Sequence, residues 1–213
     1  MFSVAAYQRN SLWQNEIALW EDIAKKSPGK ARVHSNLGTL YLSNGMSDKA
    51  ILEFQQAIGI NPDYIEARKN LITAYIAKEA LDDALSELIT LSNLLPGNAD
   101  ILTPIGGIYI KKGEPDKAIE YLQQALLLNP QHINALTNIG IAYASKGWND
   151  MAVSAFDKAI GINRDFAFAY YNRGLIYAKK RDYSKANVNF KLACLLGYKD
   201  GCIASRTATD GKQ

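Results

Sequence analysis

A spacing of 34 residues governs this chain. In blocks beginning at Ala31, Ile65, Ala99, Ile133 and Ala167, the eleventh place is always tyrosine: Tyr41, Tyr75, Tyr109, Tyr143 and Tyr177. The twentieth is always alanine: Ala50, Ala84, Ala118, Ala152 and Ala186. Phe54, Leu88, Leu122, Phe156 and Phe190 share the twenty-fourth place, and the eighth is Gly38, Ile72, Gly106, Gly140 and Gly174. Pro62, Pro96 and Pro130 close the first three blocks. Such a period marks an architecture in which each unit cannot bury its apolar face alone and must stack on its neighbours.

Inside each block, apolar residues recur at steps of three and four, the period of a helix. Every block holds two such runs. Asn44-Gly45, Lys112-Gly113 and Lys146-Gly147 part the runs in three of the blocks. Asp48, Asp116 and Asp150 stand at the start of the second run, where a carboxylate suits the helix dipole. Asn61-Pro62 and Asn129-Pro130 end their blocks, since the residue before proline resists helix and proline cannot continue one. Glycine at the eighth place and alanine at the twentieth let two backbones approach, while the tyrosine and the phenylalanine or leucine fill the space beside the crossing. Ile72 breaks that rule, so the second helix pair is expected to be splayed. Pro104, five residues into its predicted helix, removes one backbone bond and crowds the Asp100 carbonyl. With Gly106 and Gly107 it predicts a late or kinked helix, or alternatively a pocket or hinge.

The pattern resembles that of the tetratricopeptide repeat family over residues 31–200. The tryptophan that the family favours at the fourth place is replaced by His34, Arg68, Leu102, Leu136 and Tyr170. The resemblance implies an all-α fold: a right-handed α-solenoid of stacked antiparallel helix pairs. The repeats would span 31–64, 65–98, 99–132, 133–166 and 167–200. Residues 1–30 form an N-terminal segment in which Tyr7, Trp20 and Pro28 occupy places of a degenerate block. Residues 11–26 are expected to form a helix, capped by Ser11, that covers the first repeat. Residues 201–213 promise only a short cap, a helix over about 200–207, and a loose tail. The last repeat would then be thinly covered and open to a further copy of the chain.

In this family the first helix of each pair lines the inner surface. The sixth place then carries a ladder of amides, Asn36, Asn70, Asn138 and Asn172, broken by Pro104. A carboxamide donates and accepts at once, which suits the alternating groups of an extended peptide backbone. The resemblance assigns that role to these asparagines, with Lys69, Thr73, Thr137, Phe168 and Tyr171 beside them. The competing reading has the amides bonded to neighbouring helices or water, and Phe168 and Tyr171 stacked within the last repeat. Only Lys69 fits the pattern of repeats that clamp a C-terminal carboxylate, so that specificity is not expected.

Other classes of function have little support. The net charge is +3, and lysine and arginine are scattered among nearly as many carboxylates, so no nucleic-acid footprint is expected. Lys179, Lys180, Arg181, Lys185 and Lys191 read as a solvated turn and helix face. No apolar run is long enough to span a bilayer. His34 and His132 lie 98 residues apart without partners at metal-ligand spacing, and no nucleophile or phosphate-loop motif is present. No catalytic residue, metal or cofactor is expected. Cys194 and Cys202 would pair in an oxidising compartment or else sit as small buried hydrophobes.

The expected function is a non-enzymatic interaction module that binds an extended segment of a protein or peptide partner. Two alternatives stand beside it. One is self-association as a scaffold through the C-terminal end. The other follows from a second resemblance: Tyr7, Arg9, Asn10, Trp13, Leu19, Trp20 and Pro28 are similar to the start of the repeat domain in bacterial polytopic glycosyltransferase-like membrane proteins. That resemblance implies an extracytoplasmic domain of a larger protein, with FSVAA as the end of a membrane helix. The sequence leaves the compartment open between the cytoplasm and the outer face of a bacterial membrane.

Overall fold

The computed structural model describes residues 16–210, with side chains as far as Thr207. Every element among them is a helix. They are α1 (Glu16–Lys26), α2 (Ala31–Ser43), α3 (Ser47–Ile60), α4 (Ile65–Ala77), α5 (Leu81–Leu94), α6 (Ala99–Lys111), α7 (Pro115–Leu128), α8 (Ile133–Ser145), α9 (Asn149–Ile162), α10 (Ala167–Lys179), α11 (Tyr183–Leu195) and α12 (Lys199–Asp210). The chain divides into two compact units, Met1–Leu95 with α1–α5 and Pro96–Gln213 with α6–α12. The expected all-α helical repeat is the observed fold.

Each sequence block becomes a helix pair, and each pair turns in the same way. Gly45, Gly113 and Gly147 adopt left-handed φ of 74°, 71° and 78°. Glu79 and Arg181 hold the equivalent turns at 57° and 61°, where a Cβ crowds the following carbonyl. Glu79→Gly and Arg181→Gly are each expected to raise stability by about 0.5–1 kcal/mol. Urea unfolding of the single variants checks this; no gain would mean that the side chains compensate for the strain.

The crossing within a pair has one physical basis. A Cβ built on Gly38, Gly106, Gly140 or Gly174 would lie 2.7, 2.4, 2.6 or 2.7 Å from an atom of Phe54, Leu122, Phe156 or Phe190. The missing methyl therefore makes room for the ring or leucine of the partner helix. The alanines of the twentieth place are 0–1% exposed in all five pairs. At the second pair, Ile72 replaces the glycine, and α4 and α5 pack less closely than the helices of the other pairs, in keeping with the expected splay. Helix α6 runs unbroken through Pro104 from an Asn98 cap whose side chain accepts from the Asp100 N–H at 2.9 Å.

In the first unit, Leu37, Tyr41, Phe54 and Leu71 form the core, with Ile17 and Trp20 of α1 packed against it. The predicted covering helix is present from Glu16; the expected Ser11 cap and FSVAA lie outside the described residues. In the second unit, Leu136, Ala159 and Ala169 gather Leu126, Ile133, Ile160 and Phe166 around them. Successive repeats are stitched inside each unit by Lys78 to Asp48, Lys146 to Asp116, and Lys180 to Asp150.

The C-terminal end differs from the expectation of a short helix over a thinly covered repeat. Helix α12 has 12 residues and packs along α11. Gly201 permits this approach, because a Cβ there would stand 2.7 Å from the Ala193 Cβ and 3.0 Å from backbone. A Cys194–Cys202 disulfide ties the two helices together. Cys202→Ser is expected to loosen α12 by about 2 kcal/mol or less, since the closed loop is short. The readout is faster hydrogen exchange over residues 199–210 alone; loss of protection across the whole second unit would contradict a local role.

Candidate functional site

The inner-face residues fall into two sets, one in each unit. In the first unit, Asn70 Nδ2 donates to Thr39 Oγ1 at 3.2 Å, and that hydroxyl donates to the Ser35 carbonyl at 2.9 Å. The Asn70 amide thus reaches back to the ninth place of the preceding repeat. Lys69 and Thr73 are exposed beside it, and the Thr73 hydroxyl donates to the Lys69 carbonyl at 3.0 Å.

The same reach meets different chemistry in the second unit. Asn138 lies against Gly107, the ninth place of its preceding repeat, where a Cβ would stand 3.4 Å from Asn138 Nδ2. No side chain is there to take the amide, and Asn138 has no side-chain hydrogen bond among the described residues. For Asn172 the residue at the equivalent place is Ile141, which has nothing polar in its side chain. Asn172 Nδ2 instead donates to the Phe168 carbonyl of its own helix at 2.8 Å. Asn36, half-buried on α2, also lacks a side-chain hydrogen bond among the described residues, and its preceding ninth place, Ala5, lies outside them. The ninth place gives Asn70 a partner at Thr39 and leaves Asn138 without one at Gly107.

Of the other expected residues, Thr137 is placed away from a lining role, whereas Phe168 and Tyr171 are half-buried and meet other rings. Thr137 is 1% exposed, with its hydroxyl turned to the Ile133 carbonyl at 2.8 Å, so it is a core position. Ser35 and Thr103, at the same fifth place, are buried too. Small hydroxyl residues fit where neighbouring first helices meet, and the Thr103 hydroxyl, like that of Thr137, is satisfied within its own helix, by the Ala99 carbonyl at 2.8 Å. The Phe168 and Tyr171 rings meet Tyr198 at centroid distances of 5.8 and 5.0 Å, and Tyr171 also meets Phe190 at 5.8 Å. They stack where the last pair joins α12.

Sequence reasoning missed a polar clasp in the first unit. Arg68, with its side chain 8% exposed, pairs with Glu87, and its Nη2 donates to the Pro62 carbonyl at 2.9 Å. His34 repeats this one block earlier, with Nδ1 2.7 Å from Glu53 and Nε2 3.0 Å from the Pro28 carbonyl. The signal was legible as a joint change at the fourth and twenty-third places. These read His34/Glu53 and Arg68/Glu87, then Leu102/Tyr121 and Leu136/Ala155. Nearby, the Tyr41 hydroxyl donates to Glu21 at 2.6 Å; burial first, and then that carboxylate, push its phenol well up from the usual range. The other histidine, His132, accepts from the Ala135 N–H at 3.1 Å and meets Asp100 at 3.0 Å. Both imidazoles serve the fold. Among the described residues, no group of three His, Cys, Asp or Glu side chains is arranged to hold a metal ion.

Family models described as tetratricopeptide repeat match residues 42–103, 133–166 and 169–196, and one described as TPR repeat matches residues 106–147. The chain belongs to the tetratricopeptide repeat family. No curated protein matches this TPR chain. Among solved structures it is similar to YrrB, described as a TPR protein with an unusual peptide-binding site, at 22% identity and a TM-score of 0.65, covering 90% of this chain and 97% of that one. It is also similar to MamA, at 28% identity and a TM-score of 0.66, covering 76% and 95%. A third is a thermophilic TPR protein of Thermus thermophilus, TTC0263, at 20% identity and a TM-score of 0.68, covering 84% and 98%. The fold is that of a protein-interaction module, and no helix among the described residues is long and apolar enough to cross a membrane.

Proposed function

We propose that this TPR protein is a non-enzymatic binding module whose inner face holds an extended segment of a partner polypeptide. The observation that carries this reading is the free carboxamide of Asn138, left without a side-chain partner by Gly107. A free amide can accept from a backbone N–H and donate to a backbone carbonyl of the same bound residue. Gly107 adds room for main chain to approach. Asn36 presents the same group in the first unit, and Asn70 keeps its oxygen free beside the exposed Lys69 and Thr73. The two histidines are engaged in structural contacts, which favours binding over acid–base chemistry.

The test is selection of short linear peptides from a displayed library, followed by titration. Asn138→Ala is expected to weaken an inner-face peptide about tenfold, while Asn172→Ala, whose donor is spent on its own helix, leaves affinity unchanged. Equal affinity for the wild type and an Asn70→Ala/Asn138→Ala double variant would defeat the assignment.

A second reading gains from one observation. The Cys194–Cys202 disulfide suits an oxidising compartment, which favours the extracytoplasmic domain of a larger membrane-anchored, glycosyltransferase-like protein. Alkylation of the protein as isolated from its cells, with free thiols found at both cysteines, would remove that support.

A further inference from the structure

One helix departs from the polar pattern of its counterparts. At the sixteenth, nineteenth and twenty-third places, four blocks carry Met46/Lys49/Glu53, Ala80/Asp83/Glu87, Glu114/Lys117/Tyr121 and Asp182/Lys185/Asn189. The fourth block carries Trp148/Met151/Ala155. The step of four puts Met151 and Ala155 on one side of α9, with Trp148 at its N-cap. In three of the other blocks the lysine of the nineteenth place covers the block tyrosine: Lys49 over Tyr41, Lys117 over Tyr109 and Lys185 over Tyr177, at 5.1, 5.3 and 5.4 Å. Met151 stands in that place beside Tyr143 and is 48% exposed, next to a Trp148 that is 43% exposed.

The result is a cavity of about 430 Å³ between α7, α8 and α9. Leu126, Leu136 and Ile139 form its floor, and Tyr143, Met151 and Ala155 its walls. A second hollow of about 570 Å³ adjoins it past Met151, walled by Trp148 and Lys180. The equivalent cleft of the first block, about 410 Å³, carries Glu21, His34 and Glu53 beside Leu37 and Tyr41, where among the described residues the fourth block has no carboxylate or imidazole facing Leu136 and Tyr143 other than Asp150. At about 100° per residue, Leu136, Ile139 and Tyr143 lie on the part of α8 turned away from Asn138, so this surface is separate from the inner face.

The charge at the rim selects the occupant. Asp150 is neutralised by Lys180 at 2.6 Å. Lys158 is exposed, lines the cavity and has no ion-pair partner among the described residues. We propose that this face of α9 docks a segment of another protein carrying a large apolar side chain next to an aspartate or glutamate. The apolar side chain enters the cavity, and the carboxylate meets Lys158. Two open hollows divided by Met151 suit successive side chains of a polypeptide better than one enclosed small molecule, and exposed Trp and Met are favoured interface anchors.

The experiment runs the peptide selection on the full chain, with binding measured on the wild type and on Ala155→Tyr, Lys158→Glu and Asn138→Ala. Ala155→Tyr installs the residue found at the same place in the third block and fills the cavity. The proposal expects peptides that pair a large apolar residue with an acidic one, weakened about tenfold or more by Ala155→Tyr and by Lys158→Glu, and unaffected by Asn138→Ala. Should Ala155→Tyr fail to fold, Lys158→Glu and Met151→Asp, both at exposed positions, decide the matter. Peptides sensitive to Asn138 alone, or none sensitive to α9, overturn the proposal while leaving the inner-face reading standing. Binding of the aromatic sulfonate ANS at the cavity without any peptide binding also overturns it. So does a concentration-dependent dimer in sedimentation that Ala155→Tyr abolishes, which would make the occupant a second copy.

Discussion

Phe156→Ala is expected to destabilise the protein by about 3–5 kcal/mol, the range for deleting a fully buried aromatic ring. Phe156 is 1% exposed and sits against Gly140, with Cε1 where a methyl on that glycine would collide at 2.6 Å. Ala152 and Ala159, both 0% exposed, flank it on α9 and have no atoms with which to fill the space. The vacated volume therefore stays as a cavity between α8 and α9. Urea unfolding followed by circular dichroism measures the loss, and hydrogen exchange resolved along the chain locates it in the second unit. A loss below about 1 kcal/mol would show that the crossing relaxes, and that the glycine–ring pairing is not what holds a pair together.

Arg68→Leu should cost about 3 kcal/mol, for a different reason. Removing one partner of a buried ion pair leaves the other without compensation. Here the leucine would leave Glu87 and the Pro62 carbonyl without their donor. Glu87 is 24% exposed and can rehydrate in part, which places the cost at the low end for such pairs. The chain itself suggests the repair. The third block carries Leu102 and Tyr121 at these two places, both apolar in character, so adding Glu87→Tyr to Arg68→Leu is expected to recover most of the loss. Urea unfolding of the two single variants and the double variant gives the coupling directly. Equal stability of Arg68→Leu with and without Glu87→Tyr would argue that the clasp is not a unit. His34→Arg, which copies the second block into the first, should be tolerated by the same logic.

The repeat, its register and the pairing of helices were legible from residue types alone. Glycine at the eighth place, alanine at the twentieth and a ring or leucine at the twenty-fourth are local requirements of one crossing, and they recur wherever it recurs. Ile72 was legible for the same reason, since the break in the pattern is the break in the packing. Thr137 was misplaced because helical spacing gives a direction but not the nearness of the next helix, and its neighbour leaves no room for solvent. The extent of α12 was also hidden: KDGCIASRTATD carries weak helical signals, and the Gly201 contact and the Cys194–Cys202 link that stabilise it depend on where α11 lies.

The asparagine ladder shows the division most clearly. The sequence by itself determined that four amides recur at one place of the repeat, because a 34-residue period returns each to the same helical position. Only the tertiary structure decided what each amide does. Asn70 reaches the Thr39 hydroxyl of the preceding repeat, Asn138 lies against the empty space at Gly107, and Asn172 turns to the Phe168 carbonyl of its own helix. A hydrogen bond forms only where a partner stands within about 3 Å, and stacking of repeats sets that distance.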